Sequence, residues 1–273
     1  MEKSPQDSYR VFLLASLASG FLCSCGEKEK EADSPDAAEV EEEKVYTYLA
    51  EDRFEYENGI LKGNYAPPHD EFTGMWRGDV KGSAEVRNGV AAIIAPMRLS
   101  CSLDMVPSGR FANYLDENDM IGKDGATIYI SFYQALTNIE GERVALIEFV
   151  QGDRNVHFFT QFNVGTDTTP PPPFGPFGLR AKRNIDYVIA APVELNSHEN
   201  LIVLKVKFGE DNKDRIYYYY NPTPEDEKKP TGAIAVEDLS FDRYGLACFT
   251  GGEMTIRHLR IADNFEAVAV DGR

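Results

Sequence analysis

Cleaving a glycosidic bond on a β-sheet takes two carboxylates about 5–9 Å apart. On one strand that means acids at alternate positions of a single face. Glu148, inside the apolar segment Val144–Val150, is the most conspicuous acid but has no such companion. Glu140 and Glu142 have the spacing, yet they sit at a Gly-containing turn where solvation accounts for them. Glu117-Asn118-Asp119 opens a similar pattern and continues as Met120-Ile121-Gly122 in a turn-rich stretch. The four histidines, His69, His157, His198 and His258, lack metal-ligand spacing. The body of the chain has no Gly-x-Ser-x-Gly elbow, phosphate loop or CxxC pair. No residue is therefore assigned a catalytic role.

Binding chemistry is better represented. His157 opens a strand in which Phe159, Gln161 and Asn163 alternate, a polar face with an aromatic that could line a ligand site. Trp76, the single tryptophan, is either a sugar-stacking ring or a core residue. The run Tyr217 to Tyr220 puts two rings on each face of a strand, one pair for the core and one for an exposed platform. The candidate ligand-binding residues are Trp76, Tyr133, Glu148, His157, Gln161, Tyr218 and Tyr220. The acidic turn Glu117–Asp124 offers oxygen ligands, which makes calcium the one candidate cofactor.

These residues sit on a chain of 273 residues with a formal charge of −17, which argues against partners such as nucleic acid or an anionic membrane surface. An apolar run, Val11–Leu22, is too short for a membrane-spanning helix, which needs about 20 residues, and suits the core of an export signal. It ends in Leu22-Cys23-Ser24-Cys25. This tetrapeptide resembles the lipobox of bacterial lipoproteins. The resemblance implies a signal peptide over 1–24 and a lipidated Cys25, which would place the chain on the cell envelope, in the outer membrane. A cleaved signal without lipid and a retained anchor stay open as other readings. Residues 25–44 then form a linker: Glu27–Glu43 holds nine acidic residues and no aromatic, too polar to offset its ordering entropy. It reads as a hydrated spacer.

Cys101 and Cys248 remain in the body, in the apolar segments Met97–Leu103 and Tyr244–Thr250. In a sandwich whose first and last strands are neighbours they could form a disulfide; two separate buried thiols are the other reading.

Residues 45–273 form one domain, read as all-β. Short runs rich in β-branched and aromatic residues alternate with Gly, Asn, Asp and Pro, and no long stretch carries a 3.6-residue stripe. Expected strands are 53–57, 89–95, 98–104, 127–135, 143–151, 157–164, 186–192, 200–208, 215–221, 244–250 and 254–261. Thr169–Gly178 holds five prolines and reads as a surface loop, as does 222–231. One helical turn is expected within 262–269. The clearest unit is the hairpin Leu201–Tyr220, in which Leu204, Val206 and Phe208 alternate with Lys205 and Lys207, one face buried and one wet. Such a succession implies two antiparallel sheets packed face to face.

Phe54-Glu55-Tyr56, then Gly59 and Leu61, Gly74-Met75-Trp76, Gly122–Phe132, and Ser240–Leu246 with Ile256–Val270 follow in an order and spacing that resembles LamG-like, concanavalin A-like jelly-roll domains. The resemblance implies a jelly roll with one curved sheet whose concave side is the usual ligand face, and calcium is common among such domains. It implies no activity. The chain is thus expected to be a non-catalytic envelope lipoprotein that displays a jelly-roll domain to a glycan or an envelope protein. A diverged glycoside hydrolase or lyase, and a purely structural envelope protein, are the alternatives.

Overall fold

The computed structural model describes residues 46–63, 76–78, 82–103, 105–137, 143–152, 155–163, 174–181, 187–194, 199–210, 213–236, 238–248 and 252–270, with backbone alone at 136–137, 143–146, 155–163, 174–181 and 187–194. Contacts divide the chain into Met1–Lys44 and Val45–Arg273, and every described residue lies in the second. Cys25 lies outside the described residues.

The strands are β1 (Ala50–Asp52), β2 (Gly59–Ile60), β3 (Ser83–Val86), β4 (Ala91–Ile94), β5 (Met97–Ser102), β6 (Thr127–Thr137), β7 (Arg143–Gln151) and β8 (Asn155–Asn163). They continue as β9 (Phe174–Ala181), β10 (Tyr187–Glu194), β11 (Asn200–Lys207), β12 (Asp214–Tyr220), β13 (Gly232–Val236), β14 (Arg243–Cys248) and β15 (Glu253–Ala262). Among the described residues the large sheet runs β13-β12-β11-β6-β15-β4-β3-β2, with β1 also on β15, and the small sheet runs β10-β9-β8-β7-β14-β5. All pairings are antiparallel, and the architecture is a two-sheet jelly-roll sandwich.

Period-two alternation builds the core between the sheets. Ile128, Ile130 and Phe132 of β6, Ile202, Leu204 and Val206 of β11, and Met254 and Ile256 of β15 meet Leu99 and Cys101 of β5, Phe149 of β7 and Leu246 of β14. The opposite face of the large sheet was expected to be wet at the β11–β12 hairpin. It carries a second apolar cluster instead: Tyr129, Tyr133, Val203 and Tyr219 pack under Phe265 and Val268 of helix α1 (Phe265–Ala269). The Asn264 side chain caps α1 by accepting from the Ala267 N–H at 2.8 Å. This cover explains why Val203 is fully buried although it points away from the sandwich interior.

Three expectations need correction. The segment 53–57 forms no strand, because the Asp52 carboxylate accepts from the Phe54 N–H at 2.8 Å and Phe54 takes a positive φ of 53°. Residues 174–178 are not a loop but the start of β9. Pro176 lies opposite Pro192 of β10, so neither residue asks the other for an N–H donor, and the ladder from β8 ends at Phe177. The third concerns Cys101 and Cys248, both buried and neither in a disulfide. Their strands are neighbours, but Cys101 lies opposite Tyr244 and Cys248 opposite Met97. An offset of four residues is roughly 13 Å along the strand, too far for a disulfide.

Candidate functional site

The two outward faces of the sandwich are different. α1 packs on β15, β6 and β11 of the large sheet. On the small sheet, Leu99, Tyr244, Leu246, Ile147 and Phe149 point into the core, so Arg98, Ser100, Gly245, Ala247 and Glu148 lie on the outward side. One register row crosses this face: Ser100 opposite Gly245, Gly245 opposite Glu148, Glu148 opposite Phe159, and Phe159 opposite Arg180.

Arg98 and Glu148 are joined over that row. Arg98 Nε donates to Glu148 Oε2 at 2.6 Å, although β14 runs between their strands. Gly245 lies beside the accepting oxygen. A Cβ there would lie 3.5 Å from both Glu148 Cβ and Oε2, and 2.9 Å from the Leu99 carbonyl oxygen. Glu148 is almost fully buried, whereas the Arg98 side chain is 43% exposed. Burial pushes the Glu148 carboxyl up, and the Arg98 charge and hydrogen bond pull it back only in part. The guanidinium has five N–H donors, of which the Nε–H is the one spent on Glu148. The result is a cation fixed from below and open from above.

The sequence candidates fall in three places. Glu148 belongs to this face. His157 and Gln161 are on β8, next to β7, with Gln161 in register with Ala145; their side chains lie outside the described residues. Trp76 is not a stacking ring. It is fully buried, 5.3 Å from Tyr244 and 6.2 Å from Phe54 ring to ring, with Nε1–H donating to the Tyr56 hydroxyl at 3.3 Å. Tyr218 is not a platform either, because it points into the interior between the sheets. Tyr220 shares that side, half-buried, and donates to Asn200 Oδ1 at 2.6 Å. Tyr133 lies on the covered face of the large sheet, under the Arg257 guanidinium at 4.6 Å from the ring centroid. The turn near Glu117–Asp124 uses its acid locally: Asp116 Oδ1 accepts from the Asn118 and Met120 N–H groups at 2.7 and 3.0 Å. Among the described residues no three His, Cys, Asp or Glu side chains gather as a metal site.

Sequence reasoning missed Arg98. Its signal was the alternation Met97-Arg98-Leu99-Ser100-Cys101, which puts an arginine on the wet side of a strand. It also missed the bulge in β15, where the register with β6 shifts between Arg257 and Arg260 and His258 takes a positive φ of 49°. The bulge puts Arg257 and Arg260 on the large sheet's outer face, paired with Glu199 at 2.7 Å and Glu51 at 3.2 Å. Burial and these two arginines lower the His258 pKa.

Among solved structures, the ligand-binding domain of botulinum neurotoxin serotype D, in complex with N-acetylneuraminic acid, matches 81% of this chain and 49% of its own length, at 8% identity and a TM-score of 0.47. The endo-β-1,4-glucuronan lyase of the fungus Trichoderma reesei matches 81% of this chain and 98% of its own, at 11% identity and a TM-score of 0.46. An alginate lyase matches 80% and 98%, at 8% identity and a TM-score of 0.48. This chain thus spans about half of the neurotoxin domain and nearly all of each lyase. No protein-family model and no curated protein sequence matches the chain.

Proposed function

We propose that this chain is an envelope lipoprotein, tethered through Cys25, whose LamG-like jelly-roll domain binds a glycan on the outward face of the small sheet and does not cleave it. The observation that carries the reading is the Arg98–Glu148 pair over Gly245. A half-exposed guanidinium held by a buried carboxylate is a preorganised donor, so little conformational freedom is lost when it meets ligand hydroxyls. Ser100, in register with Gly245 and partly exposed, adds a hydroxyl beside the guanidinium. An acidic linker with no apolar run would hold that face away from a membrane surface.

The enzyme reading rests on the same residue. A buried carboxyl with a raised pKa is suited to proton transfer, so Glu148 could serve a diverged polysaccharide-cleaving site. One experiment separates the two. Soluble 44–273 is titrated with a polysaccharide panel, with calcium and then with chelator, and the supernatant is assayed for new sugar ends. Saturable binding that weakens at least tenfold in R98Q, without product, is the expected result, and chelator sensitivity would add calcium to it. Product that disappears in E148Q would overturn the non-catalytic reading, and no binding to any glycan would overturn both.

A further inference from the structure

A second site lies on the large sheet and depends on neither Arg98 nor Glu148. Where β12 ends, a pocket of about 480 Å³ is lined by Glu199, Leu201, Asn221, Pro222, Thr223 and Pro224, a volume in the range of small-ligand sites. Tyr133 and Ala269 complete its lining.

The hydrogen-bonding character of this wall is one-sided. Pro222 and Pro224 have no N–H. The Asn221 N–H donates to the Leu201 carbonyl at 2.8 Å, and the Leu201 N–H donates back to Asn221 Oδ1 at 2.7 Å. Asn221 Nδ2 donates to Asn200 Oδ1 at 3.1 Å. The Thr223 N–H and hydroxyl both donate to Asp226 Oδ2, at 3.0 and 2.9 Å. The loop thus spends its backbone N–H groups and the Thr223 hydroxyl on itself, which holds Asn221 at a positive φ of 45° and fixes the wall. The charged group that the wall presents is an acceptor. The Glu199 carboxylate is positioned by Arg257, whose Nη2 donates at 2.7 Å and whose Nε lies 3.2 Å from both oxygens. Glu199 is the more exposed member of that pair, 29% against 17%. A carboxylate has about four acceptor positions, so it retains capacity toward the pocket.

We propose that this pocket binds a primary ammonium group carried on a small carbon skeleton, such as an amino sugar. An ammonium brings three donors and no acceptor, the complement of a carboxylate set in a wall whose backbone donors are spent. Leu201, Pro222 and Pro224 supply apolar surface for the skeleton. A carboxylated or phosphorylated ligand would meet the Glu199 carboxylate, whose charge Arg257 offsets in part, and the net charge of −17 disfavours an anion further.

The test is calorimetric titration of the soluble chain with glucosamine, glucose and glucuronate, which share a ring and differ in charge. Glucosamine should bind at least tenfold tighter than glucose, with glucuronate weakest. E199Q should remove the preference, and P224R, at an exposed position that leaves the fold intact, should abolish glucosamine binding. Glucuronate binding as tightly as glucosamine overturns the proposal. So does glucosamine binding that is unchanged in both variants, or the absence of binding by all three sugars. R98Q should leave glucosamine affinity unchanged, which keeps this site separable from the small-sheet face.

Discussion

Arg98 and Glu148 lie on strands that do not touch, and their side chains meet at 2.6 Å across β14, beside Gly245. The pair is asymmetric: the acid is buried and the base half-exposed. This asymmetry sets what each substitution does.

R98A should destabilise the domain by roughly 3 kcal/mol at pH 7.5, because it leaves a buried carboxylate without its counter-charge. The folded-state pKa of Glu148 is already raised, so the folded chain takes up a proton at a higher pH than the unfolded chain. The penalty of R98A should therefore be largest near neutral pH and shrink as pH falls through that raised pKa. E148Q should be close to neutral, since the amide oxygen still accepts from Arg98. Urea denaturation of the wild type and both variants at pH 7.5 and pH 5 checks the sign. An R98A penalty that grows on acidification would contradict it.

G245V should cost about 1–3 kcal/mol and weaken the ion pair, because the new Cβ would lie 2.9 Å from the Leu99 carbonyl oxygen and its methyls would crowd Glu148, whose Cβ and Oε2 are each 3.5 Å from that Cβ. Its effect and that of R98A should be non-additive in a double-mutant cycle, since both act on one contact. Additive effects would mean that the glycine matters only for strand packing.

Both body thiols should be silent to a thiol reagent in the native protein at pH 8 and appear together on unfolding. Each is buried, and burial pushes the Cys248 thiol up to about 11. Two thiols per chain of 44–273 in urea, and none before, is the expected count. None in urea would indicate a disulfide.

The single tryptophan should report folding and ignore ligand. Trp76 is fully buried between Phe54 and Tyr244, so its emission should be blue-shifted and protected from iodide. Saturating glycan should leave it unchanged. Quenching on glycan binding would place the ligand near Trp76 and against the small-sheet site.

The tether has a direct test. C25A should move the chain from the membrane to the soluble fraction of expressing cells, without changing the thiol count or tryptophan emission of the body. A chain that stays with the membrane would remove the lipid from the proposal.

Much of the fold was legible because its signals are local. Alternation with period two marks a strand wherever one face is buried, so β7, β11, β12 and β15 stand close to their expected bounds. The helical turn after Asn264 follows from a cap within three residues. Legibility failed where a non-local partner changed the local preference. β9 accepts Pro176 opposite another proline, Pro192 of β10, where the β8 ladder has already ended, and Val203 is buried on the expected wet face because α1 returns over it from some 60 residues later. The tyrosine run shows the same limit. Its alternation was plain, but Tyr218 and Tyr220 proved to be the pair facing the interior.

The sequence by itself determined the all-β class, the two-sheet sandwich and the acidic balance, because composition and period-two patterning act over a few residues. Tertiary structure decided the site. That Arg98 and Glu148, 50 residues apart, converge over Gly245, about a hundred residues further on, depends on strand order and register, and these are set by how whole sheets bury their apolar faces. No window of sequence contains all three residues. The same holds for the pocket at Glu199, whose carboxylate is aimed by an arginine that a bulge in β15 brings to the outer face.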